Sequence, residues 1–220
     1  MMNEFILEIY GEEIPSWAQR FAEKDLKDLI EAFLILKKVQ YSQIEINSSS
    51  RRVSISINKI EKEIPQSVIE IRGPGIDANE NALMGFLNKN NATLKDLVKK
   101  KVKNKEYFFL KIKSAKLRVN ILLQKNLPII LSKVKWKKSM RWNSFDEKWI
   151  RPIKSILCVF HNKKIVFKYG GVTSSNFTYG NYKYGENKII FKKTNNYEKD
   201  LENNHVCLLY TSDAADDGLC

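Results

Sequence analysis

The sequence predicts an α+β fold of mixed, mainly antiparallel sheets with packed helices. Three stretches carry that expectation. EFILEIY alternates Phe5, Leu7 and Ile9 on one side, the period of a strand. Trp17, Phe21, Leu29, Ile30, Phe33, Leu34 and Leu36 recur at helical spacing. Ile44 and Ile46, then Val53, Ile55 and Ile57, alternate on either side of NSSSRR, whose serines and asparagine mark a hairpin.

The first helix is expected to begin at Pro15, with Glu12 and Glu13 ahead of its positive end, and to run to about Val39. VIEIRG is a further strand, stopped by Gly73-Pro74-Gly75. A helix follows from Asn79 to Lys89, then another capped by Thr93 with Asp96 three residues on. The Lys99–Lys105 run is too polar to pack and reads as a solvated loop. EYFFLKIK is a strand, and SAKLRVNILLQKN a helix that Pro128 ends or kinks. SILCVFHNKKIVFKY reads as a hairpin turning at His161–Lys164, GGVTSSNFTYGNYKYG as a loop, and NKIIFKK as a short strand. Residues 1–76 form an N-terminal strand-helix-strand-strand region and 77–206 a basic α+β region. Residues 207–220 lose lysine and resemble translated sequencing-adaptor read-through, so they are read as a non-native tail outside the fold.

At 220 residues and 43% apolar content the chain can bury a substantial core. No stretch approaches the ~20 apolar residues that span a bilayer. Acids stand where a secretory signal carries cations, so a soluble, cytoplasmic protein without a membrane partner is expected. Cys158, Cys207 and Cys220 match no CxxC pattern, and His161 and His205 lack metal-ligand spacing and read as surface residues. The net charge of +13 rests mostly on lysine, and lysine, asparagine and isoleucine abound together, so the total discriminates little. Its distribution says more. Between Lys95 and Arg141 the only acids are Asp96 and Glu106, which points to a phosphate backbone or an acidic protein surface.

The sequence shows no catalytic constellation. GGVTSSNFTYG has the glycines and hydroxyls of a phosphate loop but not the spacing. Glu12 and Glu13 are neighbours that point apart, and no cysteine or serine has a base beside it. The most suggestive stretch is KVKWKKSMRWNSF, from Lys133 to Phe145. Two readings of it stay open. Trp136 and Trp142 are core residues ringed by solvated cations, or Lys133, Lys135, Lys137, Lys138 and Arg141 neutralise the phosphates of an RNA.

Several motifs, in order, resemble the N-terminal part of the beta subunit of bacterial glycyl-tRNA synthetases. LEIYGEEIP (Leu7–Pro15) is similar to the family's L-x-E-I-G-T-E-E-L-P, and SSRRV (Ser49–Val53) to T-P-R-R-L. IRGP (Ile71–Pro74), ALMGF (Ala82–Phe86) and EYFF (Glu106–Phe109) follow at fitting intervals. SMRW (Ser139–Trp142) and WIRPIKSI (Trp149–Ile156) resemble M-R-W and F-x-R-P-I-x-W, and GVTSSNFTYGNYKY (Gly171–Tyr184) resembles G-I-T-S-x-x-x-T-x-G-H-R-F. The resemblance is collinear from about Phe5 to Val206. Tyr10-Gly11 stands for Gly-Thr, Ser50 for Pro, Ser155 for the second Trp, and Asn181-Tyr182-Lys183 for His-Arg-Phe.

The resemblance implies a non-catalytic chain that supports glycyl-tRNA aminoacylation. In the family the alpha subunit carries the class II catalytic core, with ATP and Mg, and the beta subunit recognises tRNA(Gly) and completes an α2β2 assembly. No cofactor is then expected on this chain. The family's later parts, including a C-terminal anticodon-binding domain, lie outside these 220 residues. RNA-binding candidates are Lys133, Lys135, Lys137, Lys138, Arg141, Arg151, Arg51 and Arg52. Each arginine has a second reading, as a buried or capping residue bound to a carboxylate. The alternative function is a protein–protein module that docks on the alpha subunit without touching RNA.

Overall fold

The computed structural model describes residues 3–65, 68–102, 105–113, 116–141, 144, 146–185, 187–191 and 193–206. Trp142, Phe145 and the stretch 207–220, all singled out in the sequence, lie outside the described residues. The principal elements are β1 (Asn3–Gly11), α1 (Ser16–Lys37), β2 (Gln43–Ser49) and β3 (Arg52–Asn58). Next come β4 (Val68–Gly75), α2 (Glu80–Lys89), β5 (Leu97–Val102), β6 (Lys105–Lys113) and α3 (Val119–Ser132). Then follow β7 (Ile153–Phe160), β8 (Lys163–Lys164), β9 (Phe177–Tyr179), β10 (Lys188–Ile190) and α4 (Tyr197–Glu202). This is the α+β class the sequence predicts. The chain divides into two compact units, one of Met1–Ile64 with Arg118–Cys220 and one of Pro65–Leu117. The boundary drawn at residue 76 falls inside the second unit, because β4 pairs with β6 rather than with the first hairpin.

The first unit is built on an antiparallel five-stranded sheet in the order β8-β7-β1-β3-β2. Phe5, Leu7 and Ile9 of β1 share a core with α1 and α3, as their alternation predicts. The opposite face of β1 is also buried: Ile6 joins a second cluster with Leu157, Val159, Ile189, Phe191, Tyr197 and Leu201. A strand buried on both faces has no solvent side, which the mixed sequence of EFILEIY does not advertise.

In α1 the buried stripe is Ala18, Ala22, Leu26, Ile30, Phe33 and Leu34. Trp17 and Leu36, counted toward the apolar face by the sequence, are 48% and 76% exposed. The first two turns of the stripe are thus set by small residues, and the later ones by Leu26, Ile30, Phe33 and Leu34. The helix ends where Lys38 turns left-handed at φ 57°, with the Val39 N–H reaching back to the Leu34 carbonyl at 2.9 Å. Helix α3 starts at Val119, five residues later than SAKLRV suggests, and runs through Pro128 to Ser132 without ending there. It packs Val119, Leu123, Leu127 and Leu131 inward.

Strand β7 turns at His161 and Asn162, both at positive φ (44° and 63°), and Lys163 and Lys164 already pair back with Phe160 and Val159. The turn is therefore two residues rather than four. His205 is exposed, but His161 is half-buried, its Nε2 2.8 Å from the Ile60 carbonyl oxygen. Within the expected glycine- and hydroxyl-rich loop, Phe177–Tyr179 forms a strand that pairs with Lys188–Ile190.

One carboxyl side chain of the double-faced strand is fully buried. Glu8 is 0% exposed, and its carboxylate accepts from the Tyr197 hydroxyl at 2.5 Å and from the Thr178 hydroxyl. Burial, and after it the nearby Glu8 charge, holds the Tyr197 phenol well above the ordinary tyrosine range. Both donors come from the last third of the chain.

The second unit is a three-stranded antiparallel sheet, β4-β6-β5, with α2 against it. Asn79 caps α2 by accepting from the Asn81 N–H at 3.3 Å. The box expected at Thr93 and Asp96 is present, with the Thr93 N–H 3.0 Å from Asp96 Oδ2, yet it opens a single 3-10 turn and not a helix. The polar run expected to be a loop contributes Lys99, Lys100 and Lys101 to β5, paired with Phe108, Tyr107 and Glu106. Ladder hydrogen bonds satisfy the backbone while the lysine heads stay in water, so polarity alone did not exclude a strand.

Two stability predictions follow from this core. Tyr197→Phe removes one donor from buried Glu8 and should lower the urea-unfolding stability by about 1–3 kcal/mol. The donor's contribution is full below the unfolded tyrosine value of ~10 and is lost as pH climbs from there through the raised folded value, so wild type should show a steeper alkaline decline than the variant, which keeps the raised groups Tyr169 and Cys158. Leu26→Ala, at a fully buried site, should cost about 2–5 kcal/mol; an unchanged midpoint would contradict the packing described.

Candidate nucleic-acid interface

The loop after α3 holds its cations outward by anchoring what lies between them. Val134 is buried and Trp136 half-buried, whereas Lys133, Lys135, Lys137, Lys138 and Arg141 are exposed. Trp136 meets the buried Trp149 edge-on at 4.8 Å, and Trp149 meets Tyr169 likewise at 6.1 Å. Met140 and Trp149 exchange backbone hydrogen bonds of 2.9 and 3.3 Å, so the strip from 136 to 140 is clasped at both ends. Asp25 of α1 accepts from the Lys135 backbone N–H at 2.9 Å. None of the five cations forms an ion pair with another described residue. Trp136 is thus an anchor packed against the core and the five cations around it are exposed, as the reading of a core tryptophan ringed by solvated cations expects.

The other three candidates sit elsewhere. Arg52 is 3% exposed, donating to the Tyr179 carbonyl at 2.8 Å, its guanidinium 4.9 Å from the Tyr10 ring centroid. Arg51 pairs with Glu12 at 3.1 Å, and Lys154 reaches the other oxygen of the same carboxylate at 3.1 Å. That pairing, with the Lys154 hydrogen bond first, holds the Glu12 carboxyl below the usual range. Arg151 donates to the Glu13 carbonyl at 3.2 Å. Of these three arginines Arg51 is bound to a carboxylate, whereas Arg52 and Arg151 donate to backbone carbonyls.

The motifs that were separate in sequence converge here. Gly11 N–H donates to the Arg51 carbonyl at 2.9 Å, Glu12 N–H to Pro152 at 3.2 Å, and Ile14 N–H to Ser50 at 2.6 Å. A Cβ on Gly11 would lie 2.5 Å from the Pro152 carbonyl oxygen, so the approach of these chains needs glycine. Through Thr178 and Tyr179 the TSSNFTYG stretch closes on Glu8 and Arg52. Sequence reasoning named the arginines but missed Glu8, Gly11 and Lys154. The available signal for Glu8 was an acid inside an otherwise apolar strand.

Among the described residues, no three or more His, Cys, Asp or Glu side chains gather where they could hold a metal ion. No helix among them is long and apolar enough to cross a membrane.

Comparison with known proteins agrees with the motifs. The family described as glycyl-tRNA synthetase beta subunit matches residues 5–213, a span that runs past Val206 into the stretch set aside as a tail. The chain is similar to the glycine–tRNA ligase beta subunit of Rickettsia canadensis (strain McKiel), 29% identical over 207 residues. It is likewise similar to that of Rickettsia prowazekii (strain Madrid E), 30% identical over 208 residues, and of Rickettsia felis (strain ATCC VR-1525 / URRWXCal2), 30% over 209. Each alignment covers 94% of this chain and 31% of the relative, so the chain spans about a third of the length of the curated relatives it matches. With a match across nearly all of its fold, the chain belongs to the glycyl-tRNA synthetase beta subunit family.

Proposed function

We propose that the chain is the N-terminal part of the beta subunit of a glycine–tRNA ligase, supporting glycyl-tRNA aminoacylation by binding tRNA(Gly) and assembling with the alpha subunit. In this reading the reaction, with its ATP and Mg, belongs to the alpha subunit of an α2β2 enzyme in the cytoplasm. The observation that carries the RNA-binding role is the clasped loop: five exposed cations in and beside the strip held at Trp136 and Met140, none of them ion-paired with a described residue. Such a strip offers phosphate neutralisation without base reading, which supplies affinity and register rather than sequence choice.

A second reading has its own support. Trp17 (48% exposed) and Ile35 (68% exposed) lie eighteen residues apart on α1, five full turns, and so on the same side of the helix. At the helix end Leu36 (76% exposed) adjoins Ile35, and apolar surface left in water there supports a protein contact, the alpha-subunit docking module without RNA.

The experiment is a salt titration of tRNA binding. Affinity should fall linearly on a log–log plot, and the joint variant Lys135→Glu, Lys137→Glu, Lys138→Glu should reduce the slope by about 2–3 and weaken binding at least tenfold. Binding indifferent to salt and to these charges would remove the loop from the tRNA interface. If the chain instead co-purifies with the alpha subunit after RNase treatment, and Trp17→Ala abolishes this, the docking reading prevails. Glycine-dependent ATP–pyrophosphate exchange by this chain alone should give no signal.

A further inference from the structure

The second unit carries a sheet face that the clasped loop does not account for. Gly73 lies against Phe86 of α2, which assigns the side of Ile71, Leu97, Phe108 and Leu110 to the helix. Tyr107, Phe109 and Lys111 therefore project from the other side. The register sets Arg72 beside Phe109, Glu70 beside Lys111, and Lys100 beside Tyr107. The Arg72 guanidinium lies 3.7 Å from the Tyr107 ring centroid, and the Lys100 ammonium 5.7 Å from that of Phe109. Arg72, Lys100 and Lys111 are exposed, and both rings are half-buried. The one acid within this group, Glu70, is bracketed by Lys100 at 2.5 Å and Lys111 at 3.9 Å, leaving three cations against a single carboxylate.

Two features of this face are matched by one kind of ligand. An acidic protein surface would satisfy the ammonium groups but would leave the rings and the flat guanidinium without a role. A double helix would take the cations but keeps its bases stacked out of reach. An unpaired RNA strand takes both, with bases on the Tyr107, Phe109 and Arg72 planes and phosphates on the lysines. We infer that this face of the β4-β6-β5 sheet binds unpaired nucleotides of an RNA strand. The inference rests on the RNA-binding reading above and adds a separate surface and the form of RNA it takes.

The test compares a fluorescein-labelled oligouridylate of about 12 nucleotides with a duplex RNA of equal length, by anisotropy, on the 220-residue chain. The single strand should bind more tightly. The double variant Arg72→Gln, Phe109→Leu keeps apolar bulk in the sheet and should weaken single-strand binding about tenfold, with duplex binding changed less than twofold and an unaltered thermal melt. A readout independent of any variant is photo-cross-linking of a 4-thiouridine strand, which should label the peptide containing Tyr107 and Phe109. Cross-links confined to residues 133–151, with the double variant binding like wild type, would overturn this inference and leave the loop reading intact. Absence of any RNA binding would overturn both. A variant that loses only alpha-subunit capture, at unchanged RNA affinity, would make the face a protein contact and overturn it too.

Discussion

The first unit depends on placing an ionisable carboxylate inside a strand that has no wet side. Glu8 is fully buried between sheet and covering segments, and an unsolvated acid at that depth is tolerated only where hydrogen-bond donors are fixed around it. Tyr197 and Thr178 supply them. This is what fastens the C-terminal cover to the sheet: the small apolar cluster around Ile6 and Leu157 provides the area, and the two hydroxyls fix its position. With the cover in place, Arg52 on the neighbouring strand is also enclosed and bonds Tyr179.

The same logic sorts the arginines. A cation near β1 is drawn into local pairing because carbonyls and carboxylates are close: Arg51 and Lys154 share Glu12, and Arg151 takes the Glu13 carbonyl. The loop after α3 differs because its tryptophan faces inward and its backbone, not its side chains, satisfies Asp25. Basic residues of similar appearance in sequence thus divide into those that bond within the fold and those that are exposed to solvent.

Where one residue type dominates a face, the sequence was readable. β1, the β2-β3 hairpin and α2 follow from period and punctuation, and the collinear motifs were enough to suggest the family. Less visible were features that depend on the third dimension. Ala18 and Ala22 set the first two turns of the packed stripe of α1, which a count of large apolar residues cannot register. Lys99 to Lys101 form a strand because β6 supplies the ladder, although nothing local favours it. The cationic loop was legible in composition, yet which cations stay free was decided by Glu12 and Glu13, far away in the chain. Gly11 became meaningful only when Pro152 was found against it.

The hydroxyl that satisfies Glu8 is supplied 189 residues later in the chain, with the whole second unit made in between. A ribosome adding about 5–20 residues per second needs on the order of ten seconds or more to bridge that interval. Until residues 177–201 are made, the Ile6 face of β1 and its acid lack their cover, although α1 and the β2-β3 hairpin are already available to the other face and to the strand edge. The cover over Glu8 can therefore be completed only after the second unit and the five-stranded sheet have both been synthesised.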